Sequence, residues 1–123
     1  MRFDEYDAKA YSTAIYPGRG YNLVYPALKL AGEAGEVAEK VGKLIRDKGY
    51  RPSFTDYPTD DELTELDETD VQNLIKELGD VLWYLSALAG ELDSSLDEVA
   101  QVNLEKLADR AKRDVLGGNG DDR

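Results

Sequence analysis

Four stretches of the chain place apolar residues at the three- and four-residue spacing of an α-helix, and none alternates with the period of two that marks a strand. The pattern predicts an all-α fold built as a four-helix bundle. A short first helix is expected from about Asp4 to Ile15, ahead of Tyr16-Pro17-Gly18-Arg19-Gly20, where proline and two glycines punctuate a loop. The second is expected over Val24–Lys48, with Leu28, Ala31, Ala34, Val37, Ala38, Val41, Leu44 and Ile45 at helical spacing and Gly49 as its C-terminal cap. The third should run from Asp70, as N-cap, to about Leu92. Its apolar residues, among them Leu74, Ile75, Leu78, Val81, Leu82, Trp83, Leu85 and Leu88, fall on several faces, which predicts a central helix. The fourth opens on the capping box Ser95-Leu96-Asp97-Glu98 and continues through Val99, Val102, Leu107, Ala108 and Ala111 to about Val115, with Gly117-Gly118 as its stop.

The connection between the second and third helices, residues 50–69, is too long for an ordinary helix–helix loop and is acidic from Asp56 onward, so it reads as a lid or an insert. Thr59-Asp60-Asp61-Glu62 has the form of a cap for one short turn inside it. Residues 117–123 look like a flexible tail. At 123 residues the expectation is one domain spanning 1–123, large enough to bury a core without disulfides. The second and third helices carry more apolar surface than such a chain readily buries within itself, which predicts a homo-oligomer, a dimer or a tetramer.

Charge and composition narrow the chemistry. A net charge of −11 at pH 7 argues against nucleic acid and anionic membrane as partners. There is no cysteine and no histidine, which removes thiol nucleophiles, Cys/His zinc sites, Ser-His-Asp triads and imidazole acid–base catalysis. Met1-Arg2-Phe3-Asp4-Glu5-Tyr6 lacks the apolar run of a signal peptide, and no apolar run approaches the roughly 20 residues of a membrane span, so the expected location is cytoplasmic.

What remains are carboxylates, and two pairs of them stand out. Glu33-Ala34-Gly35-Glu36 and Glu77-Leu78-Gly79-Asp80 each put two acids three residues apart on the two most apolar helices. Residues at that spacing share one patch of a helix surface. A single pair of this kind is common on a solvated face. Here, however, Glu77 and Asp80 lie within Ile75-Lys76-Glu77-Leu78-Gly79-Asp80-Val81-Leu82-Trp83, and Glu36 is bracketed by Ala31, Ala34, Val37 and Ala38, so the flanking residues favour burial. Gly35 and Gly79, each costly inside a helix, suggest close approach of backbone or ligand at the level of the acids. Glu39 turns away from this patch. Four acids gathered between two helices repel one another unless cations lie among them. An all-oxygen donor set selects Mg²⁺, with Mn²⁺ as a substitute, over zinc or copper.

A second constellation lies on the fourth helix. Asn103, Lys106 and Arg110 fall within one narrow arc, an amide and two cations suited to phosphate or, equally, to a solvated face. Trp83 and Tyr84 have the rings to stack on a nucleobase, although aromatic residues on an apolar helix commonly belong to the core.

Taken in order, Tyr25-Pro26-Ala27-Leu28-Lys29-Leu30-Ala31-Gly32-Glu33-Ala34-Gly35-Glu36-Val37, then Lys76-Glu77-Leu78-Gly79-Asp80-Val81-Leu82-Trp83-Tyr84-Leu85, then Asn103-Leu104-Glu105-Lys106-Leu107-Ala108-Asp109-Arg110 resemble a MazG-like nucleotide pyrophosphohydrolase of the all-α NTP pyrophosphatase group. The ending Gly118-Asn119-Gly120-Asp121-Asp122-Arg123 is similar to the G-x-G-D-x-R of short, often phage-encoded members. The resemblance implies that Glu33, Glu36, Glu77 and Asp80 are catalytic Mg²⁺ ligands, that Lys106 and Arg110 contact phosphate, and that Asn103 touches the nucleotide or the water network of the metal. The chain carries Gly32-Glu33 where many relatives carry two adjacent glutamates, which leaves open how many metals bind, and the acidic segment from Asp56 to Asp70 matches none of the shared motifs.

Residues and resemblance converge on one expected reaction, Mg²⁺-dependent hydrolysis of a (d)NTP to (d)NMP and pyrophosphate by a metal-activated water, with Glu33 or Glu36 as candidate proton acceptor. The alternative is a noncatalytic, acidic, oligomeric helical binding protein. A di-iron carboxylate bundle is disfavoured by the missing E-x-x-H histidines.

Overall fold

A computed structural model describes residues 1–51 and 65–121. They form four helices, α1 (Phe3–Ser12), α2 (Val24–Lys48), α3 (Glu68–Glu91) and α4 (Leu96–Lys112), and no strand among the described residues. The fold is all-α as the pattern predicted. Thr59-Asp60-Asp61-Glu62 and most of the acidic connection lie outside the described residues. Among the described residues no helix is long and apolar enough to cross a membrane.

The helix ends show which local signals prevailed. α2 has the expected bounds, and Gly49 closes it at φ +67°, a conformation that costs a residue without Cβ little. Pro26 sits in the first turn, where a backbone N–H would have no intrahelical acceptor, and is fully buried. α1 stops at Ser12 and does not reach Ile15. The Ser12 and Thr13 hydroxyls donate to the Lys9 and Ala10 carbonyls at 2.6 and 2.7 Å, and Arg19 donates to the Tyr11 and Ala14 carbonyls at 3.2 and 2.8 Å. These side chains satisfy the carbonyls that another turn of helix would otherwise use. α3 begins earlier than expected because Asp67 takes the capping place expected of Asp70: its carboxylate accepts the Asp70 amide at 2.8 Å.

α4 opens as expected, with the Ser95 hydroxyl accepting the Glu98 amide at 3.2 Å. It ends before the glycines. Asp114 takes φ +53°, and the Val115 amide donates back to the Arg110 carbonyl at 2.9 Å, so an aspartate supplies the left-handed stop expected of Gly117-Gly118. Asp93 ends α3 in the same way at φ +55°, with the Ser94 amide donating to the Ala89 carbonyl at 2.9 Å.

The chain divides into two compact units, one of Met1–Leu23 with Ser86–Arg123 and one of Val24–Leu85. In the first, α1 packs on α4, and Ala10, Ala14, Ala89 and Leu96 are buried. Two carboxylates tie its segments together. Asp7 accepts the Ser86 hydroxyl at 2.6 Å and the Leu96 amide at 3.0 Å. Glu91 accepts the Tyr16 hydroxyl at 2.5 Å and the Gly20 and Asn22 amides at 2.9 and 3.1 Å, so the loop after α1 is fastened to the last turn of α3.

In the second unit α2 and α3 run antiparallel. Tyr25, at the start of α2, lies with its ring centroid 6.5 Å from that of Tyr84, late in α3. Lys48, the last residue of α2, pairs with Asp67 at 3.0 Å and Asp70 at 2.6 Å, where α3 begins. That antiparallel register is what brings the two acidic motifs to the same level.

Candidate functional site

Glu33 on α2 and Glu77 and Asp80 on α3 each bring a carboxylate oxygen to within 4.8 Å of the others. Both Glu33 and Glu77 are largely withdrawn from solvent, with side chains 17% and 19% exposed, whereas Asp80 is exposed. Three hard oxygen donors converging from two helices, with no softer ligand among them, form a donor set suited to a hard divalent cation. Glu36 is exposed and is not one of the three. It lies beside Glu39, whose carboxyl is held below its usual range chiefly by the Lys43 ammonium at 2.8 Å.

Two lysines answer the charge of the cluster. Lys29 reaches Glu33 at 3.4 Å, and Lys40 crosses from α2 to Glu77 on α3 at 3.2 Å. Lys29 also stands 5.7 Å from the centroid of the Tyr84 ring, and its ammonium is held above its ordinary pKa first by the hydrogen bond to Glu33. The i,i+4 spacing of Lys29 and Glu33 is visible in the sequence. The Lys40–Glu77 pair is not, because it depends on the register of two helices separated by a long connection.

Of the two reasons expected for Gly35 and Gly79, close approach of backbone is not met among the described residues. A Cβ added at Gly35 or Gly79 would meet nothing within 4 Å, so neither glycine marks a close approach of backbone in this chain. Trp83 is half-buried and rests edge-to-face on Tyr84, with centroids 4.8 Å apart and planes at 78°. Burial, with Tyr25 adding to it, raises the pKa of the Tyr84 phenol.

In the other unit, the stripe on α4 grades from exposed to buried. Asn103 is exposed and Lys106 is half-buried, and both line a surface recess with Ser94, Glu98, Val99 and Val102. Arg110 is 4% exposed. Its Nη2 donates to the Gly120 carbonyl at 3.2 Å and to the Asp121 carbonyl and carboxylate, both at 3.1 Å, while its buried Nε has no partner among the described residues. Lys106 also reaches Asp121 at 3.1 Å. The two cations read as phosphate contacts therefore already share an anion, and together they hold the Asp121 carboxyl below its usual range, Lys106 first. Asp121 is the aspartate of the G-x-G-D-x-R ending, read in isolation as part of a flexible tail, and was not among the candidate site residues.

The chain is similar to other proteins over most of its length. A profile of the MazG nucleotide pyrophosphohydrolase domain matches residues 26–115, which contain both acidic motifs and the α4 stripe. Over the full length of both chains, the sequence is 43% identical to the "Gene 37 protein" of Mycobacterium phage L5. It is 29% identical, over 85% of this chain and 92% of the relative, to the "Uncharacterized protein YvdC" of Bacillus subtilis (strain 168). No solved structure matches the chain. With three carboxylates converging from α2 and α3 inside a match that covers most of its length, this chain belongs to the MazG nucleotide pyrophosphohydrolase domain family.

Proposed function

We propose that the chain is a single-domain, Mg²⁺-dependent nucleoside triphosphate pyrophosphohydrolase that converts a (d)NTP to (d)NMP and pyrophosphate. The observation that carries the reading is the meeting of Glu33, Glu77 and Asp80 across two helices within the matched family domain. Those three carboxylates would hold Mg²⁺, or Mn²⁺ in its place. A bound divalent cation lowers the pKa of a water and offsets charge developing on the phosphoryl oxygens. Glu36, exposed and one turn along α2 from Glu33, would serve as a fourth ligand or as the acceptor of the water's proton. Lys106 and Arg110 would bind phosphate oxygens once Asp121 gives them up, Asn103 would contact the nucleotide beside them, and Trp83 would offer its ring to the base.

The active form in this reading is a homo-oligomer, a dimer or a tetramer. Leu28 is 69% exposed, Ile75 52% and Leu78 53%, on the same two helices that carry the acids. Apolar side chains so placed favour a second copy as their cover. The net charge of −11 speaks against nucleic-acid and anionic-membrane partners, and the reading places the protein in the cytoplasm. Pyrophosphate release, followed across the common NTPs and dNTPs with Mg²⁺ and with EDTA, tests the activity. EDTA-sensitive release is expected. Binding of nucleotide without turnover would instead indicate a noncatalytic binding protein, and a sedimentation profile of 13.7 kDa monomer alone would refute the oligomer.

A further inference from the structure

Lys40 occupies a position that the reading above does not use. Its ammonium lies 3.2 Å from Glu77, a member of the acidic cluster, and its side chain also lines a cavity of about 200 Å³ within the α2–α3 unit, whose charged lining is completed by Lys43, Lys48 and the carboxylates of Asp47 and Asp70. The other charged groups of that cavity are already paired: Lys43 with Glu39, Lys48 with Asp67 and with Asp70 of the lining, and Asp47 with Arg46. Lys40 is thus the residue that belongs both to the cluster and to the cavity. Lys29, the second counter-ion of the cluster, stands by the Tyr84 ring and is not part of the cavity lining.

We propose that Lys40 is an exchangeable counter-ion, which neutralises Glu77 while no divalent cation is bound and turns into the adjoining cavity to bind the phosphate oxygens of the substrate when one is. The inference rests on the proposed metal-dependent hydrolysis and adds to it a residue that couples the two ligands. The physical reason is charge. An ammonium in contact with Glu77 repels a divalent cation arriving among Glu33, Glu77 and Asp80, so the two compete for one carboxylate. Lysine suits the exchange because its charge is compact and its four-carbon stem is flexible, and its side chain is 36% exposed, so turning away requires no unpacking. A released ammonium without an anion then favours the polyanionic end of a nucleoside triphosphate, and the same charge serves before and after the metal arrives.

The test compares Lys40→Met with Lys43→Met, which removes an equal charge one turn along α2 from a lysine paired with Glu39 rather than with the cluster. Mn²⁺ affinity is read by the loss of the free-ion EPR signal, and inorganic pyrophosphate binding by calorimetry in saturating Mg²⁺. Lys40→Met should bind Mn²⁺ about three- to tenfold more tightly than wild type, with less than a twofold change in Lys43→Met. It should bind pyrophosphate at least about fivefold more weakly, and Lys40→Arg should recover most of that loss. Equal Mn²⁺ affinity in the two methionine variants would overturn the exchange, and so would undiminished pyrophosphate binding in Lys40→Met. If wild type neither binds Mn²⁺ nor releases pyrophosphate from any NTP, the proposed function itself fails. If wild type does both and Lys40→Met matches it, only the role of Lys40 fails.

Discussion

Asp80→Asn separates a metal site from an ordinary acidic surface more cleanly than any other change to the cluster. Glu33 and Glu77 are each paired with a lysine, so neutralising either one breaks an ion pair as well as removing a ligand. Asp80 has no ion pair among the described residues, and asparagine keeps its volume. Its carboxylate lies within 4.8 Å of the other two. Two unit charges at that distance repel by about 1 kcal/mol in water and about 3.5 kcal/mol at an effective dielectric near 20. Because Asp80 is exposed, and Lys29 and Lys40 offset its neighbours, the lower end applies, and the variant should be as stable as wild type or up to about 1 kcal/mol more stable without metal. A cation at a hundred times its Kd stabilises the folded state by about 2.7 kcal/mol, a Tm rise of roughly 10 °C for a chain of this size. Wild type should show that rise in Mg²⁺ and lose it in EDTA, whereas Asp80→Asn should shift by less than about 2 °C and lose most pyrophosphate release. Thermal melts of both proteins, with Mg²⁺ and with EDTA, run beside the pyrophosphate assay, decide it. An Asp80→Asn protein that keeps the full Mg²⁺-induced rise, or hydrolyses NTP at a near-normal rate, refutes the site.

Three further outcomes follow from the first unit. Asp7→Ala leaves the Ser86 hydroxyl and the Leu96 amide, both on buried residues, without their acceptor, and should cost roughly 2–5 kcal/mol in urea denaturation. A loss under about 0.5 kcal/mol would show that the bridge is dispensable. The Tyr16 hydroxyl, followed by the Gly20 amide, holds the Glu91 carboxyl below its ordinary value of 4.5, so the stability it contributes is complete above that pH and is lost as pH falls through the lower folded value. Glu91→Gln should therefore flatten the acid limb of the stability–pH curve, and an unchanged limb would count against the linkage. Asp121→Asn removes the carboxylate shared by Lys106 and Arg110 and should lower the KM for NTP by about two- to fivefold with kcat little changed, whereas a raised KM would show that Asp121 orients Arg110 for substrate.

The sequence by itself determined the fold class, all four helices and the family, because periodicity and capping residues are local and strong. Val24–Lys48 with its Gly49 stop, and Ser95 as the cap of α4, were legible residue by residue. So was the pairing of acids within each motif, which follows from the helical repeat alone. Where expectation and structure part at the helix ends, a particular hydrogen bond or a residue in the left-handed conformation decides rather than the apolar repeat. Arg19 reaches back to the end of α1, and Asp67 and Asp114 cap where Asp70 and the glycine pair were expected. Only the antiparallel register of α2 and α3 decided which acids meet: Glu33 joins Glu77 and Asp80 while Glu36 stays outside, and Lys40 lands on Glu77. Likewise, nothing in the spacing of Asn103, Lys106 and Arg110 tells that the last of them is buried against Gly120 and Asp121. Spacing along a helix sets which side chains share a face, but burial and partners depend on what the rest of the chain lays over that face.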